Sequence, residues 1–306
     1  MTPLPARFLG LAVGFAADRL LGDPARWHPV AGFGRAAASL ERATYADRRL
    51  NGVVHVATLV AAAAAVGRGR TGPVGTALAT WTVLGGRSLD REAAAVQHLL
   101  EQGDLPGARR RLTHLVGRDT SALDESGVAR AVIESVAENT SDAVVAPLVW
   151  GALLGTPGLL AYRAANTLDA MVGHRSTRYE RFGWAAARFD DVLNLPGSRL
   201  TAALAVLLGE DRQSAVAVWR RDAPGHPSPN AGPVEAAFAG ALGIRLGGVN
   251  VYAGRVEDRH VLGDGRAPNS HDITRARRLA GRVGLGALVA IAPIALAPSR
   301  RRPRRR

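Results

Sequence analysis

The run from Ala143 to Ala161 is apolar and broken only by Gly, Pro and Thr, and it constrains this chain more than any other feature. A straight transmembrane helix needs about 20 predominantly apolar residues, and this run meets that length. Five shorter apolar stretches accompany it: Phe8–Leu21, Val53–Val66, Val74–Gly86, Leu200–Leu208 and Val283–Ala297. Mean hydropathy is only +0.02, low for a protein made mostly of spans. The pattern predicts an all-α, polytopic integral membrane protein with about four to six apolar helices and large polar connecting segments. The alternative is a soluble, Ala-rich bundle with buried core helices. The whole chain, 1–306, reads as one membrane-embedded domain. The first apolar run lacks a convincing cleavage site and reads as retained rather than as a signal peptide.

Strand signals are weak throughout, and Arg255–His271, rich in Gly, Asp and Arg, reads as a loop. Leu89–Arg118 reads as two helices joined by a turn at Gln102–Pro106. Asp119–Asp124 offers N-caps for the next helix.

Directly ahead of the long apolar run stand Glu134, Glu138 and Asp142, four residues apart. In a helix each such step turns about 40°, so the three acids share one face. Like charges so spaced weaken a helix by a few tenths of a kcal/mol per pair. Such a stripe is best tolerated beside something positive, an arginine or a metal ion. A second cluster, Asn166 and Asp169, lies at the far end of the run, and a third holds the adjacent Asp190 and Asp191. Acids and amides at membrane depth are costly and functional by default. Hard cations such as Mg²⁺ take carboxylate, amide and water oxygens, which makes Glu138, Asp142, Asp190 and Asp191 candidate metal ligands. The structural alternatives are a solvated or Arg-paired face for the stripe, a cap for Asn166 and Asp169, and a turn for the Asp pair. Asp23 and His28 lie on a turn-rich segment, where a structural histidine is the more ordinary outcome.

There is no cysteine, which excludes disulfides and thiolate chemistry, and no lysine, which excludes a Walker-type phosphate loop. Net charge is +13, but ten of the 39 arginines lie between Arg275 and Arg306. That leaves 29 arginines against all 26 acids before them, a balance of +3. The charge is thus a property of the tail, and residues 299–306 read as a disordered Arg-rich end. Placed after an apolar run, it suits a cytoplasmic anchor better than a nucleic-acid patch, and no nucleic acid is expected as a partner.

Taken in order, the motifs resemble a known family. They are Gly22-Asp-Pro24, His28-Pro-Val30, Gly34-Arg35, Val116-Gly-Arg-Asp-Thr120, Glu134-x-x-x-Glu-Asn-Thr-Ser-Asp142, Ala146-Pro147 and Tyr162-Arg-Ala-Ala-Asn-Thr-Leu-Asp169. Tyr179-x-x-Phe-Gly183, Ala187-Arg-x-Asp-Asp191, Pro196-x-x-Arg-Leu-Thr201, Ser228-Pro-Asn-Ala-Gly232 and Leu246-Gly-Gly-x-x-x-Tyr252 complete the series. This order is similar to the CobD/CbiB family, the adenosylcobinamide-phosphate synthases of cobalamin biosynthesis. Ala170 stands where the family usually has Ser, and Ala143 where Gly is common.

The resemblance implies a multi-pass protein of the bacterial cell membrane with its active site facing the cytoplasm. It implies an amide ligase that uses ATP and Mg²⁺ to join (R)-1-amino-2-propanol, or its O-phosphate, to the f-propionate of adenosylcobyric acid. Besides those substrates and the lipid bilayer, other late corrinoid-pathway enzymes are compatible partners. Under that reading Glu134, Glu138, Asp142 and Asp169 are the expected catalytic residues. Asp23, His28, Arg35, Asn139, Asn166, Arg188, Arg199, Asn230 and Tyr252 are the expected substrate-binding ones. From the residues alone, an intramembrane Mg²⁺-dependent prenyltransferase, a non-catalytic scaffold for corrinoid enzymes and a proton-relay transporter stay open.

Overall fold

The computed structural model describes residues 6–22, 28–70, 72–174, 176–252 and 255–296, without the side chains of 251, 252, 255 and 256. Asp23 and the Arg-rich end at 299–306 lie outside the described residues. The first six helices are α1 (Ala6–Leu21), α2 (Pro29–Thr44), α3 (Arg49–Arg68), α4 (Pro73–Val83), α5 (Gly86–Glu101) and α6 (Leu105–Leu112). Next come α7 (Glu125–Thr140), α8 (Ala146–Leu154), α9 (Thr156–Leu168), α10 (Trp184–Leu208), α11 (Arg212–Asp222) and α12 (Ala231–Leu242). A hairpin of β1 (Leu246–Tyr252) and β2 (Arg255–Leu262) precedes α13 (Ser270–Ala290) and α14 (Ala292–Leu296).

Side-chain caps start several of these helices, one of them within the expected Asp119–Asp124 segment. Asp104 accepts from Gly107 N to start α6, and Asp124 accepts from Gly127 N (2.7 Å) to start α7. At α13, Asn269 and Asp272 form a reciprocal capping box.

Small residues let these helices approach closely. Gly10 and Gly14 of α1 lie against Thr76 and Thr80 of α4, four residues apart on both sides, where an added Cβ would meet the threonine side chains. The main core gathers around α7 and α12. Every residue of α12 is buried, as expected of a helix that is apolar on all sides. A smaller cluster around Phe182 joins α2, α3 and the end of α9.

The expected single span over Ala143–Ala161 is not one helix. Gly155, at φ +69°, breaks it into α8 and α9. Three other segments among the described residues are long and apolar enough to cross a membrane: Arg49–Arg68, Trp184–Leu208 and Ser270–Leu296. Only 28%, 44% and 33% of their apolar windows are buried inside the protein, so most of that apolar surface faces outward. The runs Phe8–Leu21 and Val74–Gly86 form the shorter α1 and α4.

The second correction is the hairpin. Arg255–Leu262, expected as loop, pairs antiparallel with Leu246–Tyr252. The pairing carries a bulge between Gly247 and Val249, with Gly247 and Gly248 at φ +73° and +80°. Weak strand propensity is overridden by tertiary bonds from α7. Arg130 donates to Gly247 O, and Gly247 N donates to Glu134 Oε1 at 2.8 Å.

Two π-helical turns interrupt the rods, Ser141–Val145 between α7 and α8, and Asp169–Gly173 after α9. The first precedes Pro147, whose missing N–H and bulky ring disturb the hydrogen-bond ladder of the preceding turn. Asp142 lies in the first of these turns and Asp169 opens the second.

Candidate functional site

The carboxylate stripe survives as an electrostatic ladder whose three members sit in different surroundings. Glu134 is buried and both its oxygens are occupied: Arg118 donates to Oε2 and Gly247 N to Oε1. Arg118 also donates to Asn250 on β1, so this pair locks the 116–120 segment, α7 and the hairpin together. Glu138, one turn on, is partly exposed. Burial raises its carboxyl above the usual range, Arg259 opposes the rise, and Glu134 adds to it. Asp142 is pushed well above its ordinary value, first by burial and then by the negative charges of Glu138 and Asp190.

Helices α9 and α10 bring the second and third clusters to the same place. Asp169 is raised to about 6 by burial, and further by Asp191 and Glu138. Asp190 is buried in mid-helix and not in a turn; its Oδ2 accepts from Asn194 Nδ2 at 2.8 Å, while Oδ1 has no hydrogen-bond partner. Tyr162 ties the walls together, its one hydroxyl proton shared between Asn194 Oδ1 (2.6 Å) and the carbonyl oxygen of Asp142 (2.9 Å). Tyr162 and Asn194 thus bring Asp142 of one segment beside Asp190 of another, remote in sequence.

The remaining expected residues divide between this centre and its rim. Asn166 lies one turn before Asp169 and accepts from Arg163 at 3.4 Å. Asn139 donates back to Ser135 O on its own helix. Asn230 receives Ser198 Oγ and Arg199 Nη1 at 2.9 Å each, and donates to the carbonyl of Asp191. Arg188 is exposed and pairs loosely with Asp191 at 3.4 Å, and Arg35 is exposed on α2. His28 caps α2, its Nδ1 accepting from Val30 N. Tyr252 closes β1, its side chain lying outside those described. Among the described residues no three His, Cys, Asp or Glu side chains converge as a ready metal cage.

Four groups escape a reading of the sequence. Arg118 and Arg259 supply the positive charge that the stripe required. Glu235 and His226 form a buried pair, their closest polar atoms 3.9 Å apart, beneath Glu138 in the electrostatic network. Glu235 was detectable as the only charged residue in the apolar stretch Ala231–Leu242.

The described residues form a helical protein with three helices long and apolar enough to cross a membrane and a cluster of acids between its helices. Residues 11–280 match the family described as CobD/Cbib protein, and the chain belongs to that family. It is 52% identical over 294 residues to the cobalamin biosynthesis protein CobD of Mycobacterium tuberculosis (strain H37Rv), covering 92% of this chain and 94% of that one. The protein of the same name from Chromobacterium violaceum is 48% identical over 288 residues, covering 90% and 92%. That from Rhodobacter capsulatus is 45% identical over 286 residues, covering 88% and 91%. No solved structure matches the chain.

Proposed function

We propose that this protein is a membrane-embedded ligase of cobalamin biosynthesis, forming an amide between adenosylcobyric acid and (R)-1-amino-2-propanol or its O-phosphate with consumption of ATP. Family membership supports the pathway. The observation that carries the chemistry is the link from the Asp142 carbonyl through Tyr162 and Asn194 to the buried Asp190, which sets the first and third acid clusters side by side.

A carboxylate is a poor electrophile and must be activated. Phosphoryl transfer from ATP to the carboxylate oxygen releases ADP and makes that oxygen a leaving group. The amine gives its ammonium proton to Glu138, its nitrogen bonds to the acyl carbon, and phosphate departs. The second proton passes to the departing phosphate or to water. The donor set suits a hard cation, all oxygen, with one buried carboxylate oxygen on Asp190 unpartnered. Asp190 would supply a carboxylate ligand to Mg²⁺ through that free oxygen, the remaining ligands coming from phosphate and water. Bound there, Mg²⁺ would neutralise phosphate charge.

Glu138, partly exposed at the junction of the two halves of the network, orients the amine. Arg35, Arg188 and Arg199 are exposed cations for phosphate or propionate, which guanidinium grips in bidentate fashion. Arg118 holds Glu134 and so fixes α7 beneath these groups. The reading places this site at the cytoplasmic face of the bilayer, where ATP is available.

Detergent-solubilised protein should convert cobyric acid, aminopropanol phosphate and ATP to the amide with stoichiometric phosphate release. Glu138→Ala should lower turnover by about 100-fold or more. Full turnover by that variant would remove Glu138 from the mechanism, and no turnover by the wild-type protein would remove the ligase reading.

A further inference from the structure

Helices α10 and α13 pass from polar to apolar at the same level. Every charged side chain of α13 stands at or before Arg282, and residues 283–296 carry none. Helix α10 is uncharged from Leu200 to Leu208, and the chain turns polar at once with Glu210, Asp211 and Arg212. The two segments are antiparallel neighbours: Arg282 Nη1 donates to Leu208 O at 3.5 Å, and Gly286 lies against Leu204 and Leu208. Beyond that level the outward side chains are apolar, Leu207, Leu285 and Val289 being 52%, 57% and 66% exposed. Both helices belong to segments long and apolar enough to cross a bilayer. Two segments remote in sequence thus mark one boundary of an apolar phase.

A cleft opens at that boundary. Buried Leu242 and Leu279 floor it, and Glu210, Arg275, Arg278 and Arg282 wall it. Glu210 is already engaged: Arg275 donates to it through Nε at 3.2 Å and through Nη2, and to Asp272 through Nη1. Arg278 and Arg282, one turn apart, are exposed. Among the described residues Arg278 has no ion pair or hydrogen bond from its side chain. Arg282 reaches only the Leu208 carbonyl and attracts Glu210 without bonding to it. Outside the described residues the sequence holds one acidic side chain, Asp23, and its neighbour Gly22 stands against Arg87 and Arg91 of α5.

Guanidinium groups fork onto phosphate oxygens, and apolar side chains immediately beyond them suit acyl chains. A soluble anion would use the arginines and leave the exposed leucines and valine uncovered, while a lipid without net charge would do the reverse. We propose that this cleft binds an anionic phospholipid, its phosphate between Arg278 and Arg282 and its acyl chains along Leu207, Leu285 and Val289. Basic pockets between membrane helices hold anionic headgroups by the same chemistry. The inference shares only the bilayer with the ligase reading, and neither arginine takes part in the proposed reaction.

The test titrates phosphatidylglycerol onto full-length protein in detergent and reads lipid occupancy by native mass spectrometry. Phosphatidylcholine with the same chains is the control without net charge, and glycerol 3-phosphate is the control without chains. Wild-type protein should prefer phosphatidylglycerol to phosphatidylcholine. An arginine beside an anionic lipid is worth about fivefold in affinity, so Arg278→Gln should lose about that much and Arg278→Gln/Arg282→Gln about 30-fold. The double variant should no longer distinguish the two lipids, while ligase turnover in detergent and melting temperature without added lipid stay as in the wild type. Arg110→Gln, a change at an exposed residue of α6, should leave the preference intact. If the double variant does not fold, the single variant carries the comparison.

A wild-type protein without the preference, or a preference that survives in folded Arg278→Gln/Arg282→Gln, would overturn the proposal. So would an equal loss in Arg110→Gln, which would reduce the effect to overall charge. Glycerol 3-phosphate displacing the lipid at equal concentration would make this a soluble-phosphate site and overturn the lipid assignment. Protein that selects phosphatidylglycerol through Arg278 and Arg282 but forms no amide would uphold the lipid site and overturn the ligase reading.

Discussion

Replacing Asp169 with Asn should stabilise the protein above neutral pH while abolishing its chemistry. Asp169 is raised from 3.8 to about 6, chiefly by burial and secondarily by Asp191 and Glu138. Below pH 4 both folded and unfolded chains hold the proton, and the residue has no effect on stability. As pH rises toward 6 the unfolded chain ionises while the folded one resists, and stability falls; above 6 the penalty is complete. At 1.36 kcal/mol per pKa unit the ceiling is about 3 kcal/mol. Asn keeps the shape and cannot ionise, so its advantage should grow from nothing near pH 4 to several degrees of melting temperature at pH 8.

The assay is thermal unfolding in one detergent, wild type beside Asp169→Asn, across pH 4 to 8, with ligase turnover measured on the same samples. A gain independent of pH, or none at pH 8, would refute the claim that Asp169 is held in a repulsive acid cluster. Stabilisation without loss of turnover would show that the strain serves no function.

Breaking the buried Arg118–Glu134 pair from one side should be severe. Arg118→Met leaves Glu134 without its guanidinium and should cost about 3–5 kcal/mol, with the Arg118→Met/Glu134→Gln double variant recovering part of that loss in a mutant cycle tracked by denaturant or thermal unfolding. Gly247→Ala puts a side chain at φ +73° and drives its Cβ into the carbonyl of His260. It should cost about 2 kcal/mol or more and expose the hairpin to limited proteolysis before the helices unfold.

Helix content, the turn at Gln102–Pro106 and the cap at Asp124 were legible in the sequence, because turns and caps are set by neighbouring residues. The hidden features depend on distant partners. Ala143–Ala161 is long enough for a span, but one glycine with positive φ divides it. Conversely Pro196 and the Asp pair disguise α10, although the helix runs unbroken from Trp184 to Leu208. The hairpin's glycines and charges argue for a loop until Arg130 and Glu134 of α7 bind its backbone. His28 is plausible as a ligand in the sequence and is spent on a cap. Glu235 stands out in the sequence only as a single acid in an Ala-rich stretch, and its neighbours His226 and Arg259 are remote in sequence and close on it in space.

The two π turns give the site an adjustable geometry. Each holds one residue more than an α-helical turn would need, so removing a residue there heals the ladder and rotates the downstream segment by about 100°. Asp142 and Asp169 each ride on such a turn. Their aim is thus set in part by two local surpluses of backbone, with Tyr162 holding the carbonyl of Asp142. A lineage of such proteins can re-aim its acids by gaining or losing one residue at either turn, leaving the core around α7 and α12 as it was.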